Sequence, residues 1–152
     1  MIALNLPQAE LKIKSNENKQ FIFDIIRKKY VVLTPEEWVR QHIIHFLINV
    51  KKYPASIIAV EKQLTINTLK KRFDLLIFNK KGLPEIIIEC KSPTTAITQT
   101  TFDQIARYNM ALNANILMVT NGLEHYFCKL DVENKQYQFL KDIPQYSKTL
   151  NF

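Results

Sequence analysis

The chain has 152 residues, 47% hydrophobic and 23% charged, with a formal net charge of +7 and a pI near 9.4. That size and balance predict one globular domain over residues 1–152 with a single substantial core, and the positive charge makes a polyanion the natural partner. Only Gly82 and Gly122 occur, which excludes a Walker A loop and a dinucleotide-binding fingerprint.

Taken in order, Lys12 to Lys19 is polar and reads as loop. Phe21 to Ile26 and Tyr30 to Leu33 read as short strands joined by the basic turn Arg27-Lys28-Lys29. Thr34-Pro35-Glu36-Glu37 is a helix start, with a threonine cap, proline at the first helical position and a glutamate three residues after the cap. That helix is predicted to run to about Val50, with apolar residues recurring on one side. Strands follow over Ser56 to Leu64, Arg72 to Phe78 and Glu85 to Lys91. Thr98 or Thr101 caps a second helix running through Leu112 and ended by Asn113 to Asn115. Ile116 to Thr120 and His125 to Leu130 are strands separated by the turn signal Asn121-Gly122. The tail after Pro144 reads as loosely held. No apolar run approaches the roughly 18 residues that span a membrane. Cys90 and Cys128, both in apolar runs, read as buried reduced thiols of a cytoplasmic protein. The pattern as a whole is mixed α/β.

Chemistry concentrates in the second and third predicted strands of this middle group. Side chains alternate along a strand, so Glu89 and Lys91 share one face and Ile88 and Cys90 the other. A hairpin with Phe78 opposite Glu85 puts Asp74 opposite Glu89, where like charges repel at a β-carbon spacing of roughly 4.5–5.5 Å. Two carboxylates converging on an apolar sheet suit a divalent cation. Mg²⁺, with Mn²⁺ as a substitute, takes oxygen ligands and keeps several waters, so Asp74, Glu89 and the Cys90 backbone carbonyl suffice. The bland alternatives are Asp74 paired with Arg72 or Lys71, and Lys91 as an ordinary edge lysine. Gln104 and Tyr108 are four apart and project from one helical face. Lys70, Lys71 and Arg72 immediately precede Asp74 and offer contacts to a phosphate backbone. His42 and His45 lack the further ligands zinc needs, and no nucleophile-elbow motif is present.

The spacing of Asp74 and Glu89-Cys90-Lys91 resembles the PD-(D/E)xK nuclease signature, with Phe73 where the usual proline stands. Gln104 to Tyr108 matches the Q-x-x-x-Y motif of a subset of these enzymes, and Thr34 to Gln41 resembles their acidic first helix. Together with Phe102-Asp103-Gln104 and Val119-Thr120-Asn121-Gly122, the chain resembles the N-terminal nuclease domain of type I restriction enzyme R (HsdR-type) subunits. The resemblance runs from about Thr34 to Asp131. It implies a restriction-endonuclease-like fold, a central mixed β-sheet flanked by helices, and Mg²⁺-dependent cleavage of DNA phosphodiester bonds. It implies that Lys91 orients the attacking water or neutralises developing phosphate charge, and that Gln104 and Tyr108 contact DNA or position Lys91. It also implies that an acid of the first helix reaches the metal through water, and Glu37 is preferred over Glu36. Site recognition, methylation and ATP-driven translocation belong in that family to specificity, methyltransferase and motor parts, so these are the expected partners besides DNA. The alternatives are a non-cleaving DNA-binding or assembly module on a vestigial nuclease fold, and a repair or recombination nuclease of the same fold.

Overall fold

The computed structural model describes residues 1–147. It begins with a three-stranded antiparallel sheet, β1 (Ile13–Asn16), β2 (Lys19–Asp24) and β3 (Lys29–Val32). The strand β1 replaces the expected loop. All four of its side chains are exposed, so backbone pairing with β2 alone defines it, and hydrophobic patterning carries no trace of it.

Helix α1 (Pro35–Asn49) starts where its cap signals place it. The Thr34 hydroxyl accepts from the Glu37 backbone N–H at 3.0 Å, and Pro35 fills the first position. Six strands then form the main sheet: β4 (Ile58–Ile66), β5 (Leu69–Phe78), β6 (Pro84–Cys90), β7 (Ile116–Thr120), β8 (His125–Asp131) and β9 (Gln136–Leu140). They lie in sequence order, and only β6 and β7 run parallel, their crossover carrying helix α2 (Gln99–Asn109). Thr98 caps α2, accepting from Thr101 N.

Each helix covers one face of the sheet. Val39, Ile43, Ile44 and Leu47 of α1 pack on Leu75, Ile77, Ile86 and Ile88. Phe102 and Ala106 of α2 pack on Phe73, Leu76, Ile87 and Leu117. A strand sandwiched between two helices has no polar face, which is why β6 carries the unbroken run Ile86-Ile87-Ile88. Each of these side chains contributes roughly 1.5–3 kcal/mol by leaving water. Cys90 and Cys128 are free and buried, as expected.

One expectation at the C-terminal end needs correction. Past Asp131, where the resemblance ends, the sheet does not stop, because β9 pairs with β8 and sets Tyr137 and Phe139 against Phe102, with ring centroids 5.2 and 5.1 Å away. Nor is the chain loose directly after Pro144: the Tyr53 hydroxyl donates to Pro144 O at 2.6 Å and Tyr146 N donates to Lys51 O at 2.8 Å. Residues 148–152 lie outside the described residues. At the Asn121-Gly122 turn, Gly122 has φ +85°, and a Cβ there would meet Leu4 Cδ2 at 2.7 Å, so the N-terminal segment seats directly on this glycine. Among the described residues no helix is long and apolar enough to cross a membrane. Helix, three strands, helix and further strands on one mixed sheet make a restriction-endonuclease-like layout.

Candidate functional site

The site arises where β5 parts from β6 and its pairing with β4 is interrupted. Ile77 pairs with Ile86, Leu76 with Ile87 and Leu75 with Ile88, and there the β5–β6 ladder stops. This is the register expected from the sequence in its centre, although at the turn a bulge puts Phe78 opposite Pro84 rather than Glu85. One step beyond Leu75, Asp74 lies level with Glu89. Instead of a backbone pair, the Asp74 carboxylate Oδ2 accepts the Cys90 N–H at 2.8 Å. Strand β6 continues regardless, because β7 holds its other edge through Glu89–Val119 and Cys90–Thr120, and Lys91 N donates to Thr120 O at 2.8 Å. On the other side of β5, Val60 pairs with Leu75 and Lys62 with Phe73, while Glu61 between them is held at φ +50°. That left-handed residue marks a local distortion. Across it the alternation of β5 slips, with Leu75 facing α1 and Phe73 facing α2. The end of the β5–β6 ladder thus forms a notch bearing Asp74, Glu89 and Lys91.

Glu89 is the strained group of this notch. Its carboxyl is pushed up to about 7, first by burial and then by the negative charge of Asp74, while Lys91 pulls the other way. Lys91 Nζ stands 3.4 Å from Glu89 Oε1, and both side chains are about a quarter exposed, at 30% and 25%. Glu89 and Lys91 do share a face, and Ile88 and Cys90 share the opposite one. The Cys90 thiol is fully buried and its ionisation is suppressed by that burial, so it is no thiolate ligand. The donors on hand are therefore hard oxygens, which fit Mg²⁺ or Mn²⁺ better than zinc. Among the described residues no group of three or more His, Cys, Asp or Glu is gathered as a metal cage.

Asp74 has a different neighbour from either one expected. Arg72 pairs with Glu61 at 3.2 Å, while Asp74 Oδ1 takes Arg40 Nη2 at 3.2 Å. Arg40 is 5% exposed at its side chain and also binds Glu37 at 2.9 Å and Glu61 at 3.1 Å. Burial opposes its charge, but Glu37 and then Asp74 more than compensate and hold it firmly protonated. Arg27, from the β2–β3 turn, reaches Asp24, Glu37 and Glu61 at 2.7, 3.0 and 3.3 Å. Gln41 donates to both Asp24 and Glu37. This buried network is what the sequence did not disclose. Its signal was present as Glu37, Arg40 and Gln41, three polar residues at i, i+3 and i+4 on the apolar side of α1.

Glu37 is buried and committed to Arg27, Arg40 and Gln41, because its position faces the sheet. The exposed Glu36 is instead the acid of α1 whose charge adds to the upward shift of Glu89.

Gln104 and Tyr108 line a shallow cavity of about 190 Å³ together with Glu89, Ile105 and Asn109. Tyr108 is 48% exposed, and Lys71 lies over its ring at 4.1 Å while donating to its carbonyl oxygen at 3.3 Å. Lys71, Gln104 and Tyr108 thus sit together on the α2 side. Arg72 belongs to Glu61 on the other side, and exposed Lys70 pairs by register with Thr65 further out. His42 Nδ1 donates to Trp38 O, burial lowers the pKa of both His42 and His45, and His125 bridges Thr120 and Asn5; among the described residues none of the three histidines bonds Asp74, Glu89 or Lys91.

Residues 35–144 match the model of one protein family, described as the type I restriction enzyme R protein N terminus. No curated protein matches the chain.

Proposed function

The chain belongs to the type I restriction enzyme R protein N-terminal family, and on that premise we propose that it is a Mg²⁺-dependent endonuclease domain acting on DNA. The observation that carries this reading is Lys91 3.4 Å from Glu89, both partly exposed, with the Asp74 carboxylate held beside them by the Cys90 N–H. Asp74, Glu89 and the Cys90 carbonyl are the groups proposed to hold the ion. A bound Mg²⁺ supplies a water of lowered pKa and positive charge against the phosphate. Lys91 is placed to orient that water or to meet charge developing on the phosphate oxygens. Arg40 keeps the Asp74 carboxylate aimed into the notch through Oδ1, while the Cys90 N–H fixes Oδ2. Gln104 and Tyr108 border Glu89 and supply a polar wall, and Lys71 beside Tyr108 draws the DNA backbone toward it. Glu36 takes the outer-shell role assigned from the sequence to an acid of α1. DNA and the specificity, methylation and motor parts of a restriction system are the proposed partners.

One observation favours the non-cleaving alternative, namely that Arg40 already supplies a counter-charge to Asp74. A thermal-shift titration with Mn²⁺, paired with plasmid nicking in Mg²⁺, separates the two. Wild type should be stabilised by Mn²⁺, with the response lost in Asp74→Ala and Glu89→Ala. Lys91→Ala should keep the Mn²⁺ response and lose about 10²–10³ in nicking rate. An identical Mn²⁺ response in all variants would move the metal elsewhere and leave the binding-module reading in its place.

A further inference from the structure

The three-stranded sheet lies outside residues 35–144 and meets the buried network of α1 through Asp24 and Arg27. Its inner face is closed, with Ile22 and Asp24 both fully buried. Its outer face follows from the register. Lys14 pairs with Phe21, Phe21 with Val32, and Phe23 with Tyr30, while Phe23 N donates to Lys12 O and extends the row. Phe21, Phe23, Tyr30 and Val32 therefore stand beside Lys12 and Lys14 on one side of the sheet. Tyr30 is 38% exposed and Val32 50%, and both phenylalanines are only half-buried.

Such a face is unusual for a surface sheet, which ordinarily presents polar residues to water. Here the rings of Phe23 and Tyr30 meet edge-on at 5.2 Å. Lys14 Nζ lies 4.0 Å above the Tyr30 ring and Lys12 Nζ 5.7 Å from that of Phe23. Lys19 stands on the same side at the end of β2. The acids of this sheet and its turns are Glu17, at the β1–β2 turn, and Asp24, which is buried and bonded to Arg27 and Gln41. Partly exposed rings with flexible lysines over them, and with acids kept away, combine what a flexible polyanion with planar side groups needs once the lysines turn to its phosphates.

We propose that this face binds single-stranded DNA, the bases stacking on Phe23 and Tyr30 and the lysines taking the flanking phosphates. Duplex DNA cannot use the rings, because its bases are already stacked on each other. The choice of DNA over RNA rests on the function proposed above. The sheet is also joined to the notch: Arg27 binds Glu37 and Glu61, both bind Arg40, and Arg40 binds Asp74. A strand held here is therefore held on an element anchored to the cleavage site.

The test uses fluorescence anisotropy on the full chain, with a labelled oligothymidine and an abasic strand of equal length. Wild type should bind the oligothymidine more tightly than the abasic strand. Tyr30→Ala, at an exposed position, should weaken oligothymidine binding about tenfold and leave abasic binding unchanged, since one stacked base is lost. Tyr30→Trp should restore the preference. All binding is read without divalent metal, so a failed Mn²⁺ response and a failed oligothymidine preference are separate results, and the two proposals fail separately. Equal affinity of wild type for the two strands would overturn the proposal. So would an oligothymidine affinity untouched by Tyr30→Ala, the result expected of a face reserved for a protein partner.

Discussion

Two groups of acids lie on either side of Arg40, and the fold treats them in opposite ways. Behind α1, Asp24, Glu37 and Glu61 are shared out among Arg27, Arg40 and Arg72 at 2.7 to 3.3 Å. Asp24 shows the result. Burial alone would raise its pKa, yet the backbone and side chain of Arg27, then Gln41 and Ile26, bond its carboxylate and bring the pKa below the ordinary range. In the notch, Glu89 has a lysine at 3.4 Å against burial, Asp74 and Glu36, and its pKa rises to about 7. The sequence supplies cations freely, with 21 lysines and arginines against 14 acids. Their distribution therefore differs by position and not by shortage. One acid cluster is paired throughout, while Glu89 keeps an unfavourable balance of burial and like charge.

The sharpest way to break this contrast is Arg40→Leu. Among the described residues Arg40 is the cation that touches Glu37, Glu61 and Asp74 together; its loss takes the charged partner from Asp74 and leaves Arg27 and Arg72 to hold Glu37 and Glu61. Breaking a buried pair from one side typically costs about 3–5 kcal/mol. For a chain of this length that corresponds to a melting point lower by roughly 10 °C. Calorimetric scans of both proteins at neutral pH measure it. A melting point within a degree or two of wild type would mean that the network is solvated and only nominally buried.

Glu89→Gln should move stability in the opposite direction. Glu89 ionises at its ordinary value of 4.5 in the unfolded chain and at about 7 in the folded one. Between those values the folded state keeps a proton that the unfolded state has lost. Stability should therefore decline as pH rises through this window and level off above it. Glutamine preserves the shape and cannot ionise, so the variant escapes the decline. Urea unfolding at pH 8 should find Glu89→Gln more stable than wild type by roughly 1–3 kcal/mol, with the difference gone near pH 4. A destabilised variant at pH 8 would show that Glu89, like Asp24, is a satisfied structural acid.

The contrast explains which parts of the molecule could be read in advance. Helix α1 was legible because Thr34 and Pro35 act locally, and β5 and β6 because β-branched runs report burial on both faces. The centre of the β5–β6 register was also legible, since apolar matching fixes it. The ladder's end at Leu75 was not, because it depends on Glu61 at φ +50° in a neighbouring strand and on the Asp74 side chain replacing a backbone pair. Strand β9 hid behind Tyr137 and Phe139, whose rings are buried partly by Phe102, a residue more than thirty positions away. The fate of Glu37 was hidden for the same kind of reason. As a capping-box residue it is read from its own helix, but Arg27 arrives from the β2–β3 turn and claims it.

The smallest expected effect separates the two glutamates of the first turn of α1. Glu36 is exposed and acts on Glu89 through its charge alone, whereas Glu37 is buried in three-way contact with Arg27, Arg40 and Gln41. Glu36→Gln should leave the melting point unchanged, because an exposed first-turn acid contributes only a few tenths of a kcal/mol through the helix dipole. It should weaken Mn²⁺ binding by about two- to fivefold, since one nearby negative charge is lost across partly solvated space. That weakening should shrink as salt rises. Glu37→Gln should do the reverse, lowering stability by about 1–3 kcal/mol through its stranded arginines while the metal affinity changes little. Isothermal titration with Mn²⁺ at low and high salt, alongside thermal melts of both variants, compares the two directly. If Glu37→Gln lost the metal at unchanged stability, Glu37 would be the acid that supports the ion, and the arginine network would have to open when metal binds.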